Sequence, residues 1–126
     1  MDKVCFKTKK GPAAVGPYST AAIYGGIIYM SGMIGVNPQT GKVPEGGTLA
    51  QAKQVFENIE TVLGEMGAGL DDVLKTTVYL TNMDDFAEVN KLYAEVFGPN
   101  FPARTCVEVS KLPMGLSIEV ECIAKK

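Results

Sequence analysis

The sequence contains no histidine and no tryptophan, and its three cysteines, Cys5, Cys106 and Cys122, are too far apart for a CxxC motif. Without histidine, histidine-based catalytic triads and HExxH zinc sites are excluded. Any chemistry must therefore use carboxylates, hydroxyls, thiols, lysine, arginine, backbone groups or water. The cysteine spacing supports neither a zinc site nor a thioredoxin-like motif, and free thiols indicate a reducing compartment.

Long apolar runs and an excess of positive charge are also missing. No segment approaches the length that spans a membrane, and the N-terminus has no apolar signal-peptide stretch, so we expect a cytoplasmic protein without a membrane partner. The net charge of −2 gives no electrostatic footprint for nucleic acid. The length and the hydrophobic content of 46% indicate a single domain over residues 1–126.

Strand-like segments alternate with turn signals along the chain. Gly25-Gly26 predicts a tight hairpin between a strand at 18–24 and a strand at 27–31. A short first strand and three later strands complete the prediction, at 4–7, 72–80, 104–109 and 117–124.

Two amphipathic helices are predicted between these strands. Thr48 and Gln51 have the spacing of a capping box at the start of the first helix. Asp84 or Asp85 is expected to cap the second helix, which Gly98-Pro99 ends. Each helix has one apolar face, and such helices cover one side of a sheet. The other side must be solvated or covered by further subunits, so we expect an oligomer.

The most informative stretch contains the two C-terminal strands. Arg104 and Cys106 are two residues apart and share a face of their strand, whereas Glu119 lies mid-strand among apolar residues. Arginine grips a carboxylate bidentately, and a carboxylate in a partly apolar site can act as a general base toward water. If the two strands are neighbours, an anion clamp lies beside a base. The alternative is a structural Arg–Glu pair, and Glu108 competes with Glu119 as the active acid.

Other candidates each have a structural alternative. Asn90 is expected on the inner side of the second helix, where it lines a site or bonds to a loop backbone. Tyr18 leaves a Gly-Pro loop and either covers a pocket or packs. Ser31-Gly32 allows close approach of a ligand or marks a bend. Cys106 beside Arg104 suggests a nucleophile, but no base activates it, so its backbone N–H is favoured over its thiol.

Several segments, collinear along nearly the whole chain, resemble the RidA (YjgF/UK-type) family. They are Gly16-Pro17-Tyr18-Ser19, Ser31-Gly32, 37–41, 75–80, Asp85-Phe86, Asn90, 101–104 and 118–121. The resemblance implies a chorismate-mutase-like α+β fold, a mixed sheet with two helices on one face, assembled as a homotrimer with inter-subunit sites. It also implies a deaminase without metal or cofactor. Its substrates would be 2-enamine and 2-imino acids such as 2-aminoacrylate and 2-iminopropanoate, hydrolysed to 2-keto acids and ammonia.

The resemblance also assigns roles to residues. Arg104 matches the arginine that holds the substrate carboxylate, the N–H of Cys106 matches the donor beside it, and Glu119 matches the acid that positions or activates water. The remaining pocket positions are Tyr18 from the neighbouring subunit, Ser31, Gly32 and Asn90.

One position departs from the family pattern, and two other functions stay open. Met33 stands where many relatives have glutamine, which would favour a more apolar imine side chain if Met33 touches the pocket. The first alternative is a non-catalytic trimer that binds small carboxylates or acts like a chaperone. The second is an RNA-directed role, against which the acidic charge counts. Members without the arginine lack deaminase activity, so Arg104 favours the enzyme.

Overall fold

A computed structural model describes residues 2–126, which form six β-strands, two α-helices and three short 3₁₀ turns. The strands are β1 (Val4–Phe6), β2 (Ala21–Tyr24), β3 (Ile27–Ile34), β4 (Val73–Leu80), β5 (Ala103–Glu108) and β6 (Ile118–Lys125). The helices are α1 (Gly47–Glu65) and α2 (Phe86–Phe97).

The strands form one mixed sheet in the order β1-β2-β3-β6-β4-β5. Neighbouring strands are antiparallel except β4 and β5, which run parallel and are joined through α2. A parallel pair needs such a crossover, because a tight turn cannot return the chain in the same direction. β5 is therefore an edge strand, and β4 separates it from β6. The predicted α+β fold with two helices and a mixed sheet is confirmed.

The predicted hairpin at Gly25-Gly26 is also confirmed. Gly25 has φ 59° and Gly26 has φ 77°. A two-residue turn with positive φ at both positions matches the twist of the strands it joins, and glycine adopts it without steric cost. The strand bounds differ from the prediction: β2 begins only at Ala21, and β3 continues to Ile34.

Both helices cover the same face of the sheet. Alternate residues of the central strands, such as Val78 and Val120, point into this layer and are almost fully buried. Phe56 of α1 meets Tyr93 and Phe97 of α2 edge-on, with ring centroids 5.9 and 5.6 Å apart. Within residues 2–126 no helix lies on the opposite face, where side chains such as Tyr29 remain exposed.

Asp85 occupies the cap position of α2 as predicted, but its side chain makes no capping hydrogen bond, and the cap predicted for α1 is wrong. α1 begins two residues earlier than a Thr48 cap requires, its cap position is Gly46, and no side chain caps it. The Thr48 hydroxyl instead donates to Asp85 (2.8 Å) and shares a hydrogen bond with the Ser117 hydroxyl (2.7 Å). The Gln51 side-chain oxygen accepts from the Ser117 N–H (2.9 Å). Tertiary partners therefore replace the local caps and tie the start of α1 to α2 and β6.

Candidate active site

The side chain of Arg104, the only arginine in the sequence, lies on the helix-covered side of β5. Its guanidinium carbon is 4.7 Å from the ring centroid of Tyr93 and 5.4 Å from that of Phe86. Its Nη1 donates to Asn90 Oδ1 at 2.7 Å. α2 supplies all three of these contacts, so the helix fixes the position of the guanidinium.

None of these contacts neutralises the charge of Arg104. Among residues 2–126 the only salt bridge joins Lys125 and Asp72, at 3.9 Å. A guanidinium has five N–H donors, and Asn90 accepts from only one nitrogen. The remaining N–H groups can therefore bind both oxygens of a planar carboxylate. A cavity of about 380 Å³ opens beside it, lined by Asn90, Tyr93, Ala94, Phe101, Pro102 and Arg104. This arrangement is suited to binding an anion with an apolar side chain.

The structure contradicts two predictions, the buried position of Asn90 and the pairing of Arg104 with a glutamate. Asn90 is exposed on α2 rather than buried on its inner side, because it faces the edge strand β5, where Arg104 supplies its partner. The alternative of a structural Arg–Glu pair between strands is wrong, since the guanidinium bonds to a neutral amide.

The backbone of β5 places the N–H of Cys106 at the free edge of the sheet. The N–H of Val109 donates to the Leu80 carbonyl at 2.8 Å, so it points toward β4. Amide directions alternate along a strand, and those of Arg104 and Cys106 therefore point away from β4. Burial raises the pKa of the Cys106 thiol, and the nearby Arg104 offsets this only in part. The thiol is thus a poor nucleophile, while the backbone N–H is an available donor.

A second group of residues surrounds a bulge in β3. Met30 pairs with Cys122 and Met33 with Val120, so β3 has one more residue than β6 between these pairs. Such a bulge re-aims the residues at it, here Ser31 and Gly32. The Ser31 hydroxyl donates to the Ser19 carbonyl at 2.7 Å.

The Glu119 carboxyl lies directly over the bulge. A Cβ added at Gly32 would overlap this carboxyl, so the missing side chain makes room for it. Burial, and then the like charge of Glu121, raises the pKa of Glu119 above the ordinary value. A half-buried carboxylate with a raised pKa accepts a proton from water more readily than an ordinary one. Glu108, the competing acid, accepts instead from the Met83 N–H at 2.9 Å.

Tyr18 stands near the same bulge. It lines a cavity of about 60 Å³ together with Ser31, Gly32 and Met33, and is 48% exposed. A phenol this exposed is free to contact a ligand or a second subunit. Met33 borders the cavity, but most of its side chain is buried in the core. It would therefore contact a ligand on only one side of the cavity.

The predicted site residues therefore form two separate groups within one chain. Arg104, Asn90 and the Cys106 N–H lie at the β5 edge, on the helix side. Tyr18, Ser31, Gly32 and Glu119 lie around β3 and β6, where Glu119 faces the open side. The condition that the Arg104 and Glu119 strands be neighbours is wrong, because β4 lies between them. One chain does not place the clamp beside the base.

Sequence reasoning missed the aromatic residues that hold the clamp. Phe86 and Tyr93 have helical spacing, which indicates only a buried face. Their contact with Arg104 depends on the parallel β4–α2–β5 crossover, which lays α2 against β5.

Between residues 2 and 126 no group of three His, Cys, Asp or Glu side chains is placed to hold a metal ion. Cys5, Cys106 and Cys122 are free thiols, and burial raises the pKa of Cys122 to about 12. Over the same residues, neither helix combines the length and the hydropathy of a membrane span.

Comparison with known proteins identifies the family. The family model described as Endoribonuclease L-PSP matches residues 8–126. A RutC family protein of Pyrococcus abyssi is 47% identical over 126 residues, which cover 100% of this chain and 99% of that protein. A Homo sapiens protein named 2-iminobutanoate/2-iminopropanoate deaminase is 43% identical over 117 residues, 93% of this chain and 85% of the human one.

The fold also matches that of a solved structure. A Yersinia pestis protein of unknown function, from the conserved Rid family, matches with a TM-score of 0.95 at 44% identity, covering 99% of this chain and 100% of that one. The chain belongs to the RutC/RidA family, as its motifs predicted.

Proposed function

We propose that this protein hydrolyses reactive 2-enamine and 2-imino acids to 2-keto acids and ammonia, as a 2-iminobutanoate/2-iminopropanoate deaminase. The observation that carries the proposal is Arg104, an oriented guanidinium without a charge partner, which opens on a partly apolar cavity. Glu119, with its raised pKa, supplies a base. The name of the human relative supports the same reaction class.

The reaction needs no protein nucleophile, because the imine carbon is already electrophilic. The Arg104 fork and the Cys106 N–H bind the substrate carboxylate, and orientation of this kind is a large part of catalysis. Glu119 accepts a proton from water as the water oxygen bonds to C2, and the C=N electron pair moves to nitrogen. Glu119 returns this proton to nitrogen, which gives a carbinolamine with an –NH2 group. The proton of the new C2 hydroxyl then also passes to nitrogen, the C–N bond breaks, and ammonia leaves as C2 becomes a carbonyl. One water is consumed, and Glu119 is regenerated.

The proposed site is shared between subunits. Arg104 and Glu119 lie on opposite faces of the sheet with β4 between them, so a substrate of a few carbons cannot contact both in one chain. The open face, with Tyr29, Tyr79 and Ile123, offers a surface for assembly. We expect the homotrimer that the family resemblance implies, with Arg104 of one subunit facing Glu119 and Tyr18 of the next.

RNA cleavage, which the family description names, finds less support in this chain. The net charge is −2, and the single arginine is engaged by α2 rather than arranged in a basic surface. We also assign the activity to the cytoplasm, because a reducing compartment keeps thiols such as Cys5 and Cys106 unpaired.

The direct test generates the imine in place. A serine or threonine dehydratase supplies the imino acid, and stopped-flow absorbance follows its loss with and without this protein, with Arg104→Ala as the control. We expect the wild type to accelerate imine loss in step with ammonia release, and Arg104→Ala to match the rate without protein. Tight binding of 2-oxobutanoate without faster imine loss would instead indicate the non-catalytic carboxylate-binding trimer.

A further inference from the structure

We propose that Tyr93, anchored by Thr76, is a positioning residue that fixes the plane of the Arg104 guanidinium before substrate arrives. The inference rests on the proposed function, since it deepens the role of Arg104 in binding the substrate carboxylate. It concerns a buried residue that touches the clamp from the core side.

The Tyr93 ring is anchored at its hydroxyl and at its edges. Thr76 of β4 is the register partner of Arg104 on β5 and is fully buried. Its hydroxyl is 2.7 Å from the Tyr93 hydroxyl. The Tyr93 ring also packs against Phe56 (5.9 Å, edge-on) and Phe97 (4.6 Å, tilted). A ring held at its hydroxyl and by two aromatic neighbours keeps one orientation relative to the sheet.

The anchored Tyr93 ring is in contact with the Arg104 cation. The Arg104 guanidinium carbon stands 4.7 Å from the Tyr93 centroid, inside the range in which a cation is attracted to a ring face. The ring sets the plane of the guanidinium, and the Asn90 oxygen sets its rotation within that plane. A guanidinium ordered in advance loses less freedom when a carboxylate binds, and this preorganisation favours binding.

The test separates the ring face from the hydroxyl. Tyr93→Leu removes the face, and we expect the KM for imine and the Kd for 2-oxobutanoate to rise about 2- to 30-fold, the range of a cation–π contact. The kcat should stay within about 2-fold, because the contact exists in both ground and transition states. Tyr93→Phe keeps the aromatic face and loses only the hydrogen bond to Thr76, so it should retain most of the wild-type affinity.

Phe97→Leu is the matched control. Phe97 belongs to the same aromatic cluster, since it contacts Phe56 and Tyr93, but it does not lie under the guanidinium. Because Phe97 only supports the Tyr93 ring, its loss should lower the melting temperature as Tyr93→Leu does, yet raise KM and Kd by a clearly smaller factor. Phe86→Leu removes the more distant ring at 5.4 Å. It should raise KM by a smaller factor, and it keeps the inference testable if Tyr93→Leu does not fold.

The outcomes distinguish the two proposals. Wild-type protein that does not accelerate imine loss would overturn the proposed function itself. An inactive Arg104→Ala together with wild-type KM and Kd in Tyr93→Leu would overturn only the positioning role. Equal KM changes in Tyr93→Leu and Phe97→Leu would also overturn it, because they would show a general loss of packing.

Discussion

Arg104 is an exposed residue, yet Asn90 and the rings of Phe86 and Tyr93 hold its side chain in one place. Glu119 lies half-buried in the middle of the sheet, and its carboxyl occupies the space that Gly32 leaves empty. The first group sits at an edge and the second at a bulge. The edge leaves the Arg104 guanidinium open to a ligand, and the bulge leaves room for the Glu119 carboxyl within the sheet.

The contrast shows two ways of preparing a charged group for function. At the edge, neutral contacts orient a cation without neutralising it, so its charge stays available to a ligand. In the sheet, loss of hydration and the nearby charge of Glu121 make a carboxylate more basic. In the proposed function, orientation by neutral contacts prepares Arg104 to bind a carboxylate, and desolvation prepares Glu119 to act as a base. Changes at either group should affect different kinetic constants.

The largest effect is expected from Glu119→Gln. Glutamine keeps the shape but cannot accept a proton, and general-base assistance contributes about 10²- to 10⁴-fold. We expect kcat to fall within that range while 2-oxobutanoate binding, measured by calorimetry, is unchanged. Glu108→Gln and Glu121→Gln are the controls and should have smaller effects. Loss of turnover in Glu108→Gln with an active Glu119→Gln would reassign the base.

The pKa of Glu119 should also set the acidic limb of the pH–activity profile. Only ionised Glu119 can accept the proton, so activity should fall as the pH drops through its pKa. Because that pKa is raised, the fall should begin at a higher pH than for an ordinary glutamate. Glu121→Gln removes the like charge and should move the acidic limb to lower pH. An unchanged limb in both Glu119→Gln and Glu121→Gln would assign it to another group.

Arg104→Ala is expected to have the next largest effect. Removal of a bidentate partner for the substrate carboxylate should lower kcat/KM by about 30- to 5,000-fold, with little loss of fold. Lys91→Ala, on the exposed side of α2, is the matched loss of one positive charge and should be nearly neutral. Comparable losses in the two variants would mean that general electrostatics, not a clamp, attract the substrate.

Gly32→Ala should have an intermediate effect. Its added Cβ overlaps the Glu119 carboxyl and should displace it, and a misplaced catalytic group costs up to about 100-fold in rate. We expect kcat to fall about 10- to 100-fold while Arg104-dependent ligand affinity is kept. Gly64→Ala in α1 is the control, since a Cβ there meets nothing within 4 Å. Wild-type kcat in Gly32→Ala would show that the carboxyl position is unimportant.

The smallest effect is expected from Cys106→Ser. The raised pKa leaves the thiol protonated, and the proposed donor is the backbone N–H, which serine retains. Turnover should therefore stay within a few-fold of wild type. Complete inactivation of a Cys106→Ser protein that folds and assembles like the wild type would restore the nucleophile hypothesis.

Local signals in the sequence were enough for part of this structure. Gly25-Gly26 fixes its hairpin through backbone preference, and the helix spacing follows from burial on one side. The order of strands is a long-range property, so periodicity could not show that β4 separates Arg104 from Glu119. Thr48 failed as a cap for a related reason, since its partners are distant in sequence.

A mixed-subunit assay tests the shared site most directly. Arg104→Ala and Glu119→Gln subunits, each inactive alone, are mixed in equal amounts, unfolded and refolded together. If each site takes Arg104 from one subunit and Glu119 from the next, random assembly gives an intact pair at about one quarter of the sites. We predict recovery of about a quarter of wild-type turnover per site. Mixed assemblies with no more activity than the parents would contradict the account, because a site within one chain cannot be repaired by its neighbour.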